Sequence, residues 1–363
     1  MIFPENTFRW GKSMKKNISK FLLICLLSGL IIIATACGST ESSGGNKGNE
    51  TLTLKFGHMS STDHAQHKFS MIPFSEEVEK VTDGRVKVQI YPGGALSEPA
   101  ETFDSVISGI QDIGWAPAGY SVGRFQVHSV LNMPFLTNGS AAKVSEVAQK
   151  LYEEFPAIQE EYKDVKPLWF HATDEYVIFT KGKAVRNYKD VKGLKLRAPN
   201  PEGRAMIESW GATPVSLPAP EIYDALQKGV VDGVVLPMAG LKDYNLFDTV
   251  DYVTHGSFIN SLFWVAINQN SWDKISKEDQ EKIEEILGET QAKRAGEAFD
   301  KQSEQAINEG KEAGIEFITL PEEELQKFKD ASKGVSEKWI ADMEAKGIPA
   351  QEIYDFAYKL MHE

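Results

Sequence analysis

Asp190-Val191-Lys192-Gly193-Leu194-Lys195-Leu196-Arg197-Ala198-Pro199-Asn200 is the stretch from which the fold follows. Leu194 to Arg197 reads as a short strand released by Gly193, and Pro199 prevents its continuation. Pro201 to Trp210 reads as a helix. A second helix, Glu221 to Lys228, is stopped by Gly229, and Val230-Val231-Asp232-Gly233-Val234-Val235-Leu236 is the next strand. Strands alternating with helices in this way predict βαβ units and a largely parallel sheet. In such sheets ligands bind at the carboxyl ends of the strands, which is where this strand delivers Arg197. A guanidinium offers a planar fork of donors that holds a carboxylate or sulfonate bidentately and does not lose its charge.

The same alternation extends outward. Thr51 to Gly57 is a strand, His64 to Thr82 a helix with a kink expected at Pro73, and Val86 to Tyr91 a second strand. Pro92-Gly93-Gly94 breaks it. A helix from about Pro99 to Ser108 precedes a strand over Ile110 to Trp115. Val177 to Thr180 and Phe263 to Asn268 are further strands. From Lys277 to about Ala313 the chain predicts one long charged helix, with Gly288, Gly296 and Gly310 allowing it to bend. Two helices, about Pro321–Lys346 and Gln351–His362, follow. The expected fold class is α/β: a two-lobed clamshell with a long helix across both lobes. Lobe one covers 51–172 with a return segment near 256–275, lobe two covers 173–255, and 276–363 holds the spanning helix and the C-terminal helices.

The N-terminal 36 residues predict a secretory signal. Lys15 and Lys16 precede an uncharged stretch from Phe21 to Ala36, and Ala34-Thr35-Ala36 leads into Cys37. A cysteine directly after small residues also reads as a bacterial lipoprotein box, with Cys37 lipidated as the mature N-terminus. Residues 37–50 are Ser/Gly/Asn-rich and read as a flexible tether. Removing residues 1–36 takes away five basic residues and one acidic one, leaving 34 Lys+Arg against 51 Asp+Glu, a formal charge of −17. That balance disfavours nucleic acid. An anion must then be held in a local positive pocket. The two cysteines are Cys25 and Cys37, so the mature chain has none for a disulfide, a zinc-thiolate site or a nucleophile.

Several motifs recur in a fixed order. They are Thr82-Asp83-Gly84-Arg85-Val86-Lys87-Val88 through Pro92-Gly93-Gly94 and Leu96, then Met133-Pro134-Phe135-Leu136, then Gly193 to Pro199 with Gly211-Ala212-Thr213-Pro214-Val215. Glu221 to Gln227 with Gly229-Val230-Val231-Asp232-Gly233 completes the run. In this the chain resembles the substrate-binding proteins of tripartite ATP-independent periplasmic (TRAP) transporters, DctP type. The resemblance implies a periplasmic-binding-protein-like (type II-like) clamshell, a ligand carboxylate paired with Arg197, and delivery to a permease of a small and a large membrane subunit driven by ion gradients. A second ligand-facing arginine of the sialic-acid branch falls on Lys183, and other polar or aromatic positions of that branch fall on Pro117, Ala219 and Leu236. These departures imply mostly apolar walls rather than a site for a polyhydroxylated sugar acid.

The candidate ligand-binding residues are therefore Arg197, Trp115, His58, Lys183, Leu217, Leu236, Asn260 and Phe263, with Cys37 as lipidation site. Chain crossings are expected near His171–Glu175 and His255–Asn260. His58, His64 and His67 have usable spacing for a metal, but no acidic or cysteine partner completes a set apart from Asp63, so helix-start hydrogen bonding is the preferred reading. No metal or cofactor is expected. No Gly-x-Ser-x-Gly elbow and no His-Glu-x-x-His motif is present. The expected function is an extracytoplasmic, lipid-anchored receptor for a small organic acid; the alternatives are the receptor of an ATP-driven importer, a solute sensor, or an extracellular hydrolase.

Overall fold

The computed structural model describes residues 51–362; the expected signal, the tether and Cys37 lie outside the described residues. The chain first makes β1 (Leu52–His58), β2 (Val86–Tyr91), β3 (Ile113–Pro117) and β4 (Lys166–Ala172). It crosses through 173–175 to β5 (Tyr176–Thr180), β6 (Lys195–Ala198), β7 (Thr213–Ser216), β8 (Gly233–Pro237) and β9 (Tyr252–His255). It crosses back through 256–261 to β10 (Leu262–Ile267) and returns with β11 (Glu316–Thr319). The result is two sheets, in the orders β2-β1-β3-β10-β4 and β11-β9-β5-β8-β6-β7, each flanked by helices in a two-lobed α/β fold.

Both sheets are mixed, where the sequence predicts largely parallel ones. β10 runs antiparallel between β3 and β4, and β5 antiparallel between β9 and β8. These are the first strands after each crossing. They enter from the inter-lobe side, where the parallel strands end, and must run the other way.

The predicted helix from Lys277 to Ala313 is interrupted. It forms Lys277–Glu284 and then Glu289–Glu312, parted at Gly288, whose φ of +57° suits glycine. Gly296 and Gly310 do not act as bends; they permit close approach. A Cβ on Gly296 would lie 2.4 Å from the Cα of Ala142, and one on Gly310 2.9 Å from Leu241 Cδ2. Asp300, one turn beyond Gly296, accepts from the backbone N–H groups of Ala141 (2.7 Å) and Ala142 (3.1 Å), capping the helix Ala141–Glu154 in lobe one. Further along, Gln302 donates to Asp243 of lobe two at 2.9 Å. One helix thus braces both lobes.

Two smaller differences have local causes. Pro73 stands inside one run of helical backbone from Ala65 to Val81, and the π-helical turn His67–Met71 directly before the regular helix Ile72–Val81 takes up the irregularity that a proline imposes. The third strand begins at Ile113 rather than Ile110, which is exposed.

Gly296→Ala is expected to overpack the contact with Ala142 and lower unfolding stability by about 1–3 kcal/mol, seen as an earlier urea midpoint. An unchanged midpoint would mean that the two helices part freely.

Candidate functional site

Arg197 stands on β6 and is only 2% exposed. Leu196 beside it packs into the lobe-two core, so the alternation of the strand turns Arg197 to the opposite face. Its Nε donates to the Leu217 carbonyl (3.2 Å), Nη1 to the Val235 carbonyl (3.3 Å) and Nη2 to the Tyr120 hydroxyl (3.2 Å). All three acceptors are neutral, and among the described residues no carboxylate pairs with the guanidinium. A buried cation held only by neutral oxygens keeps its charge unneutralised, and such an arrangement can accept an anion.

The side chain faces a cavity between the lobes, of ≈ 20 Å³, room for about one water. Pro117, Tyr120 and Phe263 line it from lobe one, Ala219, Leu236 and Tyr244 from lobe two, and Phe299 from the long helix. Tyr120 bridges the lobes: its hydroxyl accepts from Arg197 and also from the Ala219 N–H at 2.8 Å.

The predicted site residues divide. Arg197, Leu236 and Phe263 face the cavity. Leu217 holds Arg197 through its carbonyl. Trp115 and His58 sit one layer behind: Trp115 stacks on Phe263 at 4.8 Å, and its Nε1–H donates to His171 Nε2 at 2.8 Å. His58 Nε2 meets His67 Nδ1 at 2.9 Å while His64 turns to Asp243, so the three histidines do not converge on one point. Asn260 does not reach the cavity. It accepts from Thr137 Oγ1 and donates to the carbonyls of Thr173 (2.8 Å) and Asp174 (3.2 Å), tying the two crossings together. Glu175 does the same from its side, contacting His255 Nδ1 at 3.0 Å and accepting from Ser257 Oγ at 2.6 Å.

Lys183 is corrected. It is exposed and lies outside the cavity. β5 runs antiparallel to β8 with Tyr176 opposite Pro237, so the residues after Thr180 emerge at the far edge of the sheet, away from the strand ends that carry Arg197.

Sequence reasoning missed Tyr120, Tyr244, Asp243 and Phe299, and it read His64 only as a helix-start residue. Asp243 comes from the short helix Gly240–Asp243 after β8. Its Oδ1 accepts from the Ala65 N–H (2.9 Å) and from Gln302 (2.9 Å), and its Oδ2 lies 3.4 Å from His64 Nε2. Burial pushes the Asp243 carboxyl up to about 7 and pulls His64 down to about 3. Burial likewise pushes the Tyr176 hydroxyl, which donates to Ser261 at 2.8 Å, up to about 12. At neutral pH the cavity therefore keeps one permanent positive charge and carries at most a partial negative one.

Residues 56–342 match bacterial extracellular solute-binding protein family 7, DctP. A TRAP solute-binding protein from an unidentified marine metagenome microbe, described as specific for aromatic acid ligands and solved with metahydroxyphenylacetate, is 29% identical. The match covers 85% of this chain and 98% of that one, with a TM-score of 0.81. A TRAP solute-binding protein from Rhodoferax ferrireducens with copurified benzoate is 26% identical over 86% and 98% of the two chains, with a TM-score of 0.82. The 2,3-diketo-L-gulonate-binding periplasmic protein of Escherichia coli is 26% identical over 82% of this chain and 88% of its own length.

Folded Asp243 keeps its proton to about pH 7, whereas an unfolded carboxyl loses it near 3.8. Folding takes up a proton in that window, so the contribution of this group to stability falls as pH rises through it. Asp243→Asn is expected to gain thermal stability relative to the wild type between about pH 4 and 7; parallel melting curves across that range would contradict the protonated state.

Proposed function

The chain belongs to bacterial extracellular solute-binding protein family 7, and from that premise we propose that it captures a small aromatic monocarboxylate outside the cytoplasm. It is a TRAP-type solute receptor for a small organic acid. The single observation that carries the assignment to Arg197 is the burial of its guanidinium against neutral oxygens only, on the wall of the inter-lobe cavity. The ligand carboxylate takes the fork now shared with the Tyr120 hydroxyl, and exclusion of water strengthens that pairing. Phe263, Phe299, Tyr244, Leu236 and Pro117 supply flat or apolar walls suited to a ring. Two TRAP relatives at 26–29% identity hold aromatic acids, which supports the same choice.

Entry requires the lobes to part, since ≈ 20 Å³ does not admit an organic acid. The pivots are the crossings at 173–175 and 256–261, with lobe one at 51–172 plus the 256–275 return and lobe two at 173–255. A ligand drives closure only by its preference for the closed form. The closed receptor delivers its cargo to the small and large subunits of an ion-driven permease, tethered to the outer face of the membrane through lipid on Cys37. It performs no reaction on the acid.

Arg197→Ala is expected to weaken benzoate or a related acid by at least about 100-fold in calorimetry, since truncating one member of a buried charge pair is costly. Arg197→Lys, which keeps the charge without the fork, is expected to fall in between. Lys183→Gln is expected to bind as the wild type does. Wild-type affinity in Arg197→Ala, with circular dichroism confirming the fold, would remove the anchor.

A further inference from the structure

Besides Arg197 and the hydroxyls of Tyr120, Thr173, Tyr176, Tyr244 and Ser261, the cavity wall carries an imidazole and a carboxyl that come from opposite lobes. His64 follows β1 in lobe one and Asp243 follows β8 in lobe two; their side chains are 3% and 1% exposed. His64 Nδ1 accepts from the Gln66 N–H at 3.2 Å, so the ring proton sits on Nε2. That Nε2–H faces Asp243 Oδ2 at 3.4 Å, longer than an ordinary N–H···O bond. Oδ1 is fully engaged by Ala65 and Gln302, while Oδ2 has among the described residues only this long contact. A buried donor and a buried acceptor thus stand side by side on the cavity wall, neither with a bond of normal length.

Resting on the reading that Arg197 holds a carboxylate, we propose that His64 and Asp243 form a second ligand subsite that takes a hydroxyl group, making the ligand a ring-hydroxylated aromatic acid. A hydroxyl is the small group that accepts from Nε2–H and donates to Oδ2 at once. An ammonium has no lone pair for the histidine. Once Asp243 is ionised, a ketone or a second carboxylate has no proton for Oδ2, and a second carboxylate would also bring negative charge against it, whereas a hydroxyl serves both states. A hydroxyl can also turn about its C–O bond and accept from Asp243 when the carboxyl is protonated, so it suits either state of the acid. A ring lacking the hydroxyl leaves donor and acceptor buried without good partners, and sites built this way reject such analogues. Because the two residues come from different lobes, the hydroxyl bond is made in full only when the lobes are together. It therefore adds to the ligand's preference for the closed form.

The test is calorimetry of benzoate, phenylacetate and the three ring-hydroxylated isomers of each against the wild type, Asp243→Ala and Arg197→Ala. At least one hydroxylated isomer is expected to bind the wild type about tenfold or more tighter than its parent acid. In Asp243→Ala, which removes both the acceptor and the donor that the carboxyl can offer, that preference is expected to shrink to about threefold or less, with circular dichroism confirming the fold. Equal binding of parents and isomers by the wild type, or a preference that survives in folded Asp243→Ala, overturns the subsite. If in either case Arg197→Ala has still lost every acid, the carboxylate anchor stands and only the hydroxyl subsite falls. If no acid binds the wild type, both fall together.

Discussion

A guanidinium withdrawn from water without a charged partner sets the terms for this molecule. Three neutral oxygens hold Arg197 in place, and two of them are backbone carbonyls that cannot follow a departing ligand: Leu217 after β7 and Val235 on β8. Two of the three contacts that orient the fork thus come from backbone around strands β7 and β8, and the third from the Tyr120 side chain. On the proposed anchoring, a preference for an oxyanion is built into this arrangement. The formal charge of −17 on residues 37–363 makes this placement more pointed. A surface arginine on so acidic a protein would be met by its own carboxylates, as Arg186 is by Glu316 at 2.6 Å. Only burial keeps Arg197 available.

The lobes are joined so that they can move while the strands that carry the site stay intact. Asn260 and Glu175 fasten the two crossings to each other by side-chain bonds, which keeps them acting as one pivot. The long helix Glu289–Glu312 packs Gly296 against lobe one, caps a lobe-one helix through Asp300, and reaches lobe two through Gln302 and Gly310. Its lobe-two contacts are both polar and apolar, with Gln302 on Asp243, Gly310 against Leu241 and Ala306 in the lobe-two core, whereas the Gly296 contact is backbone against backbone.

The sequence made the strands of both lobes and the placement of Arg197 legible, because Gly and Pro punctuate each unit and an arginine at a strand end faces the cleft by geometry. Leu236 followed from the resemblance to the sialic-acid branch, and Phe263 from its place on a strand. Lys183 failed because counting along the chain ignores strand direction: β5 was read without knowing that it runs antiparallel, which sends Lys183 to the wrong edge. β11 was hidden between two helical stretches, with only Gly314 to announce it. The meeting of Tyr120, His64 and Asp243 was hidden for a different reason. Each lies in a short helical turn or the loop after a strand, and their meeting depends on two chain crossings that no local pattern encodes.

The Tyr120 hydroxyl gives the closed form a partner for Arg197 that belongs to the protein. It accepts from the guanidinium and from the Ala219 N–H, filling the position an acid oxygen would take. On the proposed anchoring at Arg197, ligand binding is an exchange of a neutral oxygen for a charged one at a fixed donor fork. The gain is the difference between those two bonds, not the whole strength of an ion pair. A receptor that must release its cargo gains from such an internal competitor. When the lobes separate, the departing carboxylate leaves behind a cation whose next closure is already provided for, and the buried charge is never without an acceptor. The same exchange disfavours neutral solutes, which offer Arg197 no more than Tyr120 does and so supply no reason for the lobes to hold them.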